Sequence, residues 1–240
     1  MKNLLYALAI VIVTSAPLPA SAATIPSPAL GTLLAAAPSG SSRVTSGPLQ
    51  GQLTATTYAQ QYQSKALEAG ITLIHDGFVD GYGLEWFLRS TNQNLVEFVI
   101  AFSGGNGAKN WLGYMEAADK SDPTYTRADK MSGIDPYYGS HTASASPRVF
   151  TDFFAFVKGN DLFAVGVVSA KDDALKLVTA QTRRQYGGAP AETIPKATWP
   201  ENRPSQRPQT NFLAAVIGGV LVLIIVGVVI RFVMVRRRST

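Results

Sequence analysis

The stretch VFTDFFAFVKGNDLFAVGVV, at residues 149–168, decides the fold class of this chain. Two apolar runs rich in valine and phenylalanine flank the tetrapeptide KGND at residues 158–161. Gly-Asn and Asn-Asp sequences between two such runs are typical of a tight β-turn. The stretch therefore predicts two strands, at residues 149–157 and 162–168, that pair as an antiparallel hairpin.

Aromatic side chains crowd both faces of this hairpin. Neighbouring residues of a strand point to opposite faces, so Phe153 and Phe154 cannot lie on the same side. The pattern favours a sheet that is buried on both sides. The alternative is an aromatic surface that binds a lipid, a peptide or a partner protein, with Phe154 and Phe156 as candidate contacts.

A helix is predicted to follow the hairpin, and the first half of the domain shows the same order of elements. Before residue 119, the pattern predicts a helix ending at Gly70, a short strand at 71–75 and two longer strands ending near Phe102. A second helix then places Trp111 and Met115 on its inner face. Strand, hairpin, strand and helix thus occur twice, which predicts an α+β fold with helices packed on one face of an antiparallel sheet.

A long polar connection, residues 119–147, joins the two halves. Connections of this length are uncommon unless they have a function or contain some regular structure. Its Tyr137, Tyr138 and His141 are candidate partner-binding residues. An alternative of equal weight is that residues 139–143 add a strand to the sheet.

The flanking segments predict export and membrane anchoring. Lys2, a short apolar run and the sequence Ala-Ser-Ala at residues 20–22 are typical of a cleaved signal peptide. The uncharged run at residues 212–230 is long enough for a helix that spans a bilayer core of about 30 Å, and arginines follow it, which favours a cytoplasmic C-terminus. The predicted organisation is as follows: signal peptide 1–22, disordered Ala/Pro/Ser-rich segment 23–52, extracytoplasmic α+β domain 53–186, proline-rich stalk 187–211, transmembrane helix 212–235 and cytoplasmic tail 236–240.

Charge and cysteine content exclude several functional classes. Five of the 21 basic residues are Lys2 and four C-terminal arginines, and the remaining 16 equal the 16 acidic residues in number. The chain between Lys2 and Arg231 therefore has no net charge, and this gives no support for a nucleic-acid partner. The absence of cysteine excludes disulfides, thiolate catalysis and cysteine zinc sites.

Known catalytic and cofactor motifs are not matched. The glycine-rich sequence at residues 104–110 follows a strand and precedes a helix, but Lys109 lacks the spacing and the serine or threonine of a phosphate-binding loop. No Gly-x-Ser-x-Gly sequence is present, and the only histidines are His75 and His141. We therefore predict no catalytic, metal or cofactor-binding residue and no cofactor.

Two resemblances follow from these patterns. The domain resembles uncharacterised exported or lipid-anchored actinobacterial proteins, some of them compared with the PsbP-like α+β fold. The resemblance is carried by residues 81–86, the strand to Phe102, the helix near Ala108, the Gly-Ile-Asp at 133–135 and the second hairpin and helix. The resemblance covers residues 55–186 and implies a fold class and a location but no active site. Its members often carry a lipidated cysteine, which this chain lacks. Separately, Arg-Pro-Gln-Thr-Asn at residues 207–211 resembles a sortase sorting signal, with arginine at an unusual first position.

These observations predict a single-pass protein of a bacterial cell envelope whose outer domain is a binding or interaction module. Its expected partners are the lipid bilayer and an envelope protein, peptide or lipid. One alternative is an envelope hydrolase that uses the 119–147 connection. Others are a sortase-processed wall protein and a structural spacer.

Overall fold

The predicted hairpin lies in the middle of an eight-stranded antiparallel sheet. The computed structural model describes residues 25–203. The strands are β1 (Ser41–Arg43), β2 (Gly51–Leu53), β3 (Phe78–Leu88), β4 (Gln93–Phe102), β5 (Tyr125–Ala128), β6 (Tyr137–Ala145), β7 (Arg148–Lys158) and β8 (Asp161–Ser169). The sheet order is β1-β3-β4-β8-β7-β6-β5, and β2 also pairs with β3. The long connection at residues 119–147 therefore contributes two strands, β5 and β6. The predicted alternative, a strand at residues 139–143, corresponds to part of β6.

Within residues 25–203, four α-helices accompany the sheet: α1 (Ala55–Ala59), α2 (Ala66–His75), α3 (Gly105–Ser121) and α4 (Leu175–Gly188). The predicted strand at 71–75 is wrong, because α2 continues through Gly70 to His75. Ala69 and Leu73, four residues apart, are the buried positions of α2, and this is a helical spacing.

The helices cover both faces of the sheet, so the prediction of helices on one face is wrong. Side chains of α1, α2 and α3 pack in one apolar cluster with Phe98 and Leu162. Val178 of α4 packs in a second cluster with Val99 and Phe163. Because neighbouring residues of β4 and β8 face opposite sides and almost all are buried, both faces need cover.

The segments that flank the predicted domain also differ from their description as disordered segment and stalk. Residues 25–52 contain β1 and β2, which pair with β3, and Leu30 is buried on the α4 face. Residues 187–203 lie against the domain, where Ile194 and Trp199 are buried. Both segments are short of apolar residues, but backbone hydrogen bonds and a few buried side chains hold them to the sheet.

The predicted signal peptide, transmembrane helix and cytoplasmic tail lie outside the described residues. No helix within residues 25–203 is both long and apolar enough to cross a bilayer.

Candidate functional site

A cleft of about 520 Å³ opens on the face of the sheet that α1, α2 and α3 cover. One wall is the 3-10 segment Gln60–Lys65, which links α1 to α2, and the other is the end of α3. Strands β6 and β7 form the floor with Ser140, Thr142 and Thr151. This volume lies within the range of small-molecule binding sites.

Aromatic rings form the inner part of the cleft. Its apolar lining includes Tyr58, Tyr62, Phe98, Met115, Tyr138 and Phe153. The Tyr58 and Tyr62 rings both pack edge-on against Trp111, which is fully buried beneath them. Burial raises the pKa of Tyr58, so this phenol stays neutral at physiological pH. The rings therefore offer a rigid apolar surface with hydroxyl groups at its edge.

Asp119, in the last turn of α3, is the more buried of the two carboxylates that line the cleft, the other being Asp122. Oδ2 of Asp119 accepts hydrogen bonds from the hydroxyls of Tyr138 and Ser140, each at 2.9 Å. Burial raises the pKa of Asp119, and these two donors offset part of the rise. Because Oδ2 accepts both hydrogen bonds, Oδ1 is left to accept a hydrogen bond from a ligand.

The rim of the cleft includes a strained residue. Gln63 has φ 50° and ψ −113°, a conformation that favours glycine. Such backbone costs on the order of 1–3 kcal/mol and is concentrated at binding and catalytic sites. The conformation sets the path of the chain between α1 and α2 and places Gln63 at the cleft.

Of the five predicted partner-binding residues, only Tyr138 lines the cleft. Tyr137 points to the other face of the sheet, where its hydroxyl accepts a hydrogen bond from the Met131 N–H at 2.8 Å. Phe154 and Phe156 are fully buried in the core, so the interpretation as a partner surface is wrong for them. The favoured interpretation, a sheet buried on both sides, is confirmed.

His141, the fifth predicted residue, belongs to a polar cluster on the α4 face. Its Nδ1 lies 2.7 Å from Oδ1 of Asp152, and both side chains are buried. Donor atoms of Asp129, His141 and Asp152 all lie within 4.8 Å of one another. Within residues 25–203, these three side chains form a group of neighbouring donor atoms that could bind a metal ion.

The two histidines are not brought together. His75 ends α2 on the face opposite to His141, and its side chain is 83% exposed. The fold therefore does not join them in one catalytic centre.

The chain matches no protein-family model and no curated protein. A crystal structure of the extracellular domain of PknH from Mycobacterium tuberculosis is similar with a TM-score of 0.44 and 12% sequence identity. The alignment covers 66% of this chain and 94% of that domain. A similarity of this extent transfers no site, and the resemblance to PsbP-like proteins remains a prediction.

Most of the residues that form the cleft were not predicted from the sequence. The sequence pattern places Tyr58 and Tyr62 only on one side of a helix, and Asp119 only at the beginning of the long connection. The available signal was the group of tyrosines at residues 58, 62 and 114 around Trp111. Tyrosine and tryptophan are enriched at binding surfaces, because each combines an apolar ring with a hydrogen-bonding group.

Proposed function

We propose that this protein is a membrane-anchored extracytoplasmic binding module that holds a small amphipathic ligand in the cleft. The observation that carries the proposal is Asp119 beside a wall of aromatic rings. A ligand that fits has a hydroxyl or ammonium donor for Oδ1 of Asp119 and an apolar part that packs on Tyr62 and Phe153. A peptide and a lipid fragment of the envelope both meet this description.

The sequence supports the proposed location. A predicted signal peptide precedes the domain, and a predicted membrane segment with four arginines behind it follows. The chain between Lys2 and Arg231 has no net charge, which suits binding of a ligand through shape and hydrogen bonds more than through long-range attraction. The hydrolase alternative is weaker, because buried His141 lies on the face of the sheet opposite to the cleft.

The orientation has a direct test, because the chain contains no cysteine. Ser146→Cys, in the exposed β6–β7 turn, is expected to react with a membrane-impermeant maleimide on intact cells. Ser239→Cys, beyond the arginines, is expected to react only after the membrane is permeabilised. Labelling of both residues on intact cells, or of neither, would contradict the proposed topology.

Ligand binding is tested by blocking the cleft. Thr151→Trp places a large ring on its floor and is expected to lower the affinity for a cleft ligand at least tenfold. The measurement is isothermal titration calorimetry of the full-length protein in detergent. The probes are short peptides with a free amino terminus and lysolipids with medium acyl chains.

Thr179→Trp is the matched control, since Thr179 is half-buried like Thr151 but belongs to α4 on the other face. The control is expected to bind like the wild type. Equal affinity of both variants, or no binding of either probe class to the wild type, would contradict the proposed site.

A further inference from the structure

Strand register brings together a charged cluster on the α4 face, away from the cleft. His141 of β6 is the cross-strand partner of Arg127 in β5 and of Asp152 in β7. Asp129, just after β5, is held in place because its N–H donates to the carbonyl oxygen of Gly139 at 3.0 Å. Cross-strand partners have Cβ atoms about 5 Å apart, so the side chains meet without any unusual backbone.

Two carboxylate oxygens in this cluster have no hydrogen-bond partner. Asp152 is 0% exposed and Asp129 6%, and Oδ2 of each is buried without a donor from residues 25–203. A buried carboxylate oxygen without a donor is costly, and the cost is greater where two such groups lie side by side. Burial and the nearby Asp152 both raise the pKa of Asp129. The two unpartnered Oδ2 atoms are therefore a candidate position for a bound cation.

Arg127 balances this charge only in part. Its Nε lies 3.2 Å from Oδ1 of Asp129, and its nearest contact with Asp152, also through an Oδ1, is 3.8 Å. The side chain is 45% exposed, so it can move into water at little cost. It covers the solvent side of the pair and leaves the two Oδ2 atoms without a partner.

We propose that Asp129, His141 and Asp152 form a binding site for a divalent transition-metal ion of the zinc class. Two carboxylate oxygens and one imidazole nitrogen make a three-ligand set that zinc accepts, with a fourth position left for water or another ligand. Donor atoms around tetrahedral zinc lie about 3.3 Å apart, so donors within 4.8 Å need only small side-chain shifts.

A second feature supports the imidazole as a ligand. The other ring nitrogen of His141, Nε2, lies 3.8 Å from Oδ1 of Asp172, which follows β8 and is half exposed. Metal-binding histidines commonly donate their remaining N–H to a carboxylate, which fixes the ring orientation. Asp172 is placed to serve this role when Nδ1 of His141 binds the ion. This site is independent of the proposed ligand cleft.

The test is isothermal titration calorimetry of Zn²⁺ into the full-length protein in detergent, purified without a histidine tag. The chain has no cysteine and only two histidines, so background binding is low. One site with a dissociation constant of about 10 μM or tighter is expected. Under the same conditions, Mg²⁺ and Ca²⁺ are expected to bind at least tenfold more weakly, because a nitrogen ligand does not suit them.

Matched histidine variants identify the ligands. His141→Ala is expected to weaken Zn²⁺ binding at least tenfold, whereas His75→Ala, which removes the exposed histidine, leaves it unchanged. An unchanged affinity for His141→Ala, or the loss of binding for His75→Ala, would overturn the proposal. Tighter binding of Ca²⁺ than of Zn²⁺ would also overturn it.

Arg127→Gln gives a test that does not depend on a buried substitution. Removing the competing positive charge is expected to strengthen Zn²⁺ binding about three- to tenfold, since the two carboxylates then depend more on the ion. Arg127 is half exposed, so this variant is expected to fold even if His141→Ala does not. Unchanged or weaker binding by Arg127→Gln would show that the cluster is a structural ion network.

Discussion

At pH 8, Glu97→Gln is expected to raise the free energy of unfolding by about 3 kcal/mol, whereas at pH 5 the same substitution changes it little. Glu97 lies in β4 and is 0% exposed beneath α4. Burial raises its pKa from 4.5 to about 7, although the Gln181 hydrogen bond, the nearby Trp86 indole N–H and the positive charge of Arg184 oppose the rise. A neutral glutamine avoids the cost of burying the ionised form.

The direction of the pH effect follows from proton binding. Because the folded-state pKa lies above the unfolded value, the folded protein keeps a proton that the unfolded chain releases between pH 4.5 and about 7. The contribution of Glu97 to stability is therefore fully present below pH 4.5. It is lost as the pH rises to about 7. The amide of the variant does not titrate, so the difference between the two proteins grows across this window.

The contacts of Glu97 explain why glutamine fits. Nε2 of Gln181 donates to Oε1 of Glu97 at 2.8 Å, and Oε2 is buried without a partner within residues 25–203. The Trp86 indole N–H, also buried and unpaired, faces this region. The amide oxygen of a glutamine can accept the Gln181 hydrogen bond at any pH.

The measurement is urea unfolding of the wild type and the variant at pH 5 and pH 8. Glu116→Gln is the control, because Glu116 forms an exposed i,i+4 pair with Lys120. Such surface pairs contribute about 0.5 kcal/mol or less, so this substitution is expected to have little effect at either pH. An equal change for Glu97→Gln at both pH values would show that Glu97 does not titrate in this window.

The hairpins could be predicted from the sequence because their pattern is local. Residues 149–168 combine apolar runs with a turn sequence, and the structure has β7 and β8 within one residue of the predicted ends. The segment at 71–75 shows the limit of this approach. Its short apolar run suits a strand or a helix equally, and in the structure Ile71 and Ile74 remain exposed on α2.

The packing of the flanking segments, residues 25–52 and 187–203, could not be predicted, because their hydrogen bonds depend on residues distant in the sequence. Ser41–Arg43 and Gly51–Leu53 are only three residues long and pair with the edge of β3 through backbone groups. Gln185 of α4 binds residues 33 and 35 through its amide group. Such partners become apparent only once the sheet exists, so the composition of residues 23–52 resembled that of a disordered segment.

The cleft and the charged cluster could not be predicted from the sequence either. Asp119 meets Tyr138 and Ser140 only because α3 packs across β6, and His141 meets Asp152 only in one strand register. A shift of one residue would move His141 to the opposite face. The sequence identified Tyr138 and His141 as unusual residues in a long connection, but not the faces on which they lie.

Asn160→Ala is expected to lower the free energy of unfolding by about 4 kcal/mol. Asn160 is fully buried in the tight turn between β7 and β8. Its Oδ1 accepts the N–H groups of Thr193 and Ile194, at 3.0 and 3.1 Å. Its Nδ2 donates to the carbonyl oxygen of Phe102 at 3.0 Å. Alanine leaves these three backbone groups buried without partners, and each costs about 1–3 kcal/mol.

The same amide group holds the segment that leads out of the domain, so the variant is expected to loosen residues 189–203 before the sheet unfolds. Urea unfolding measures the loss of stability, and faster cleavage by trypsin after Lys196 reports the loosening. Asn110→Ala, which removes one exposed hydrogen bond to Asp76, is the control and is expected to change stability by less than about 0.5 kcal/mol. A loss below about 1 kcal/mol for Asn160→Ala, with cleavage at the wild-type rate, would show that the buried Ile194 and Trp199 side chains hold this segment without the amide.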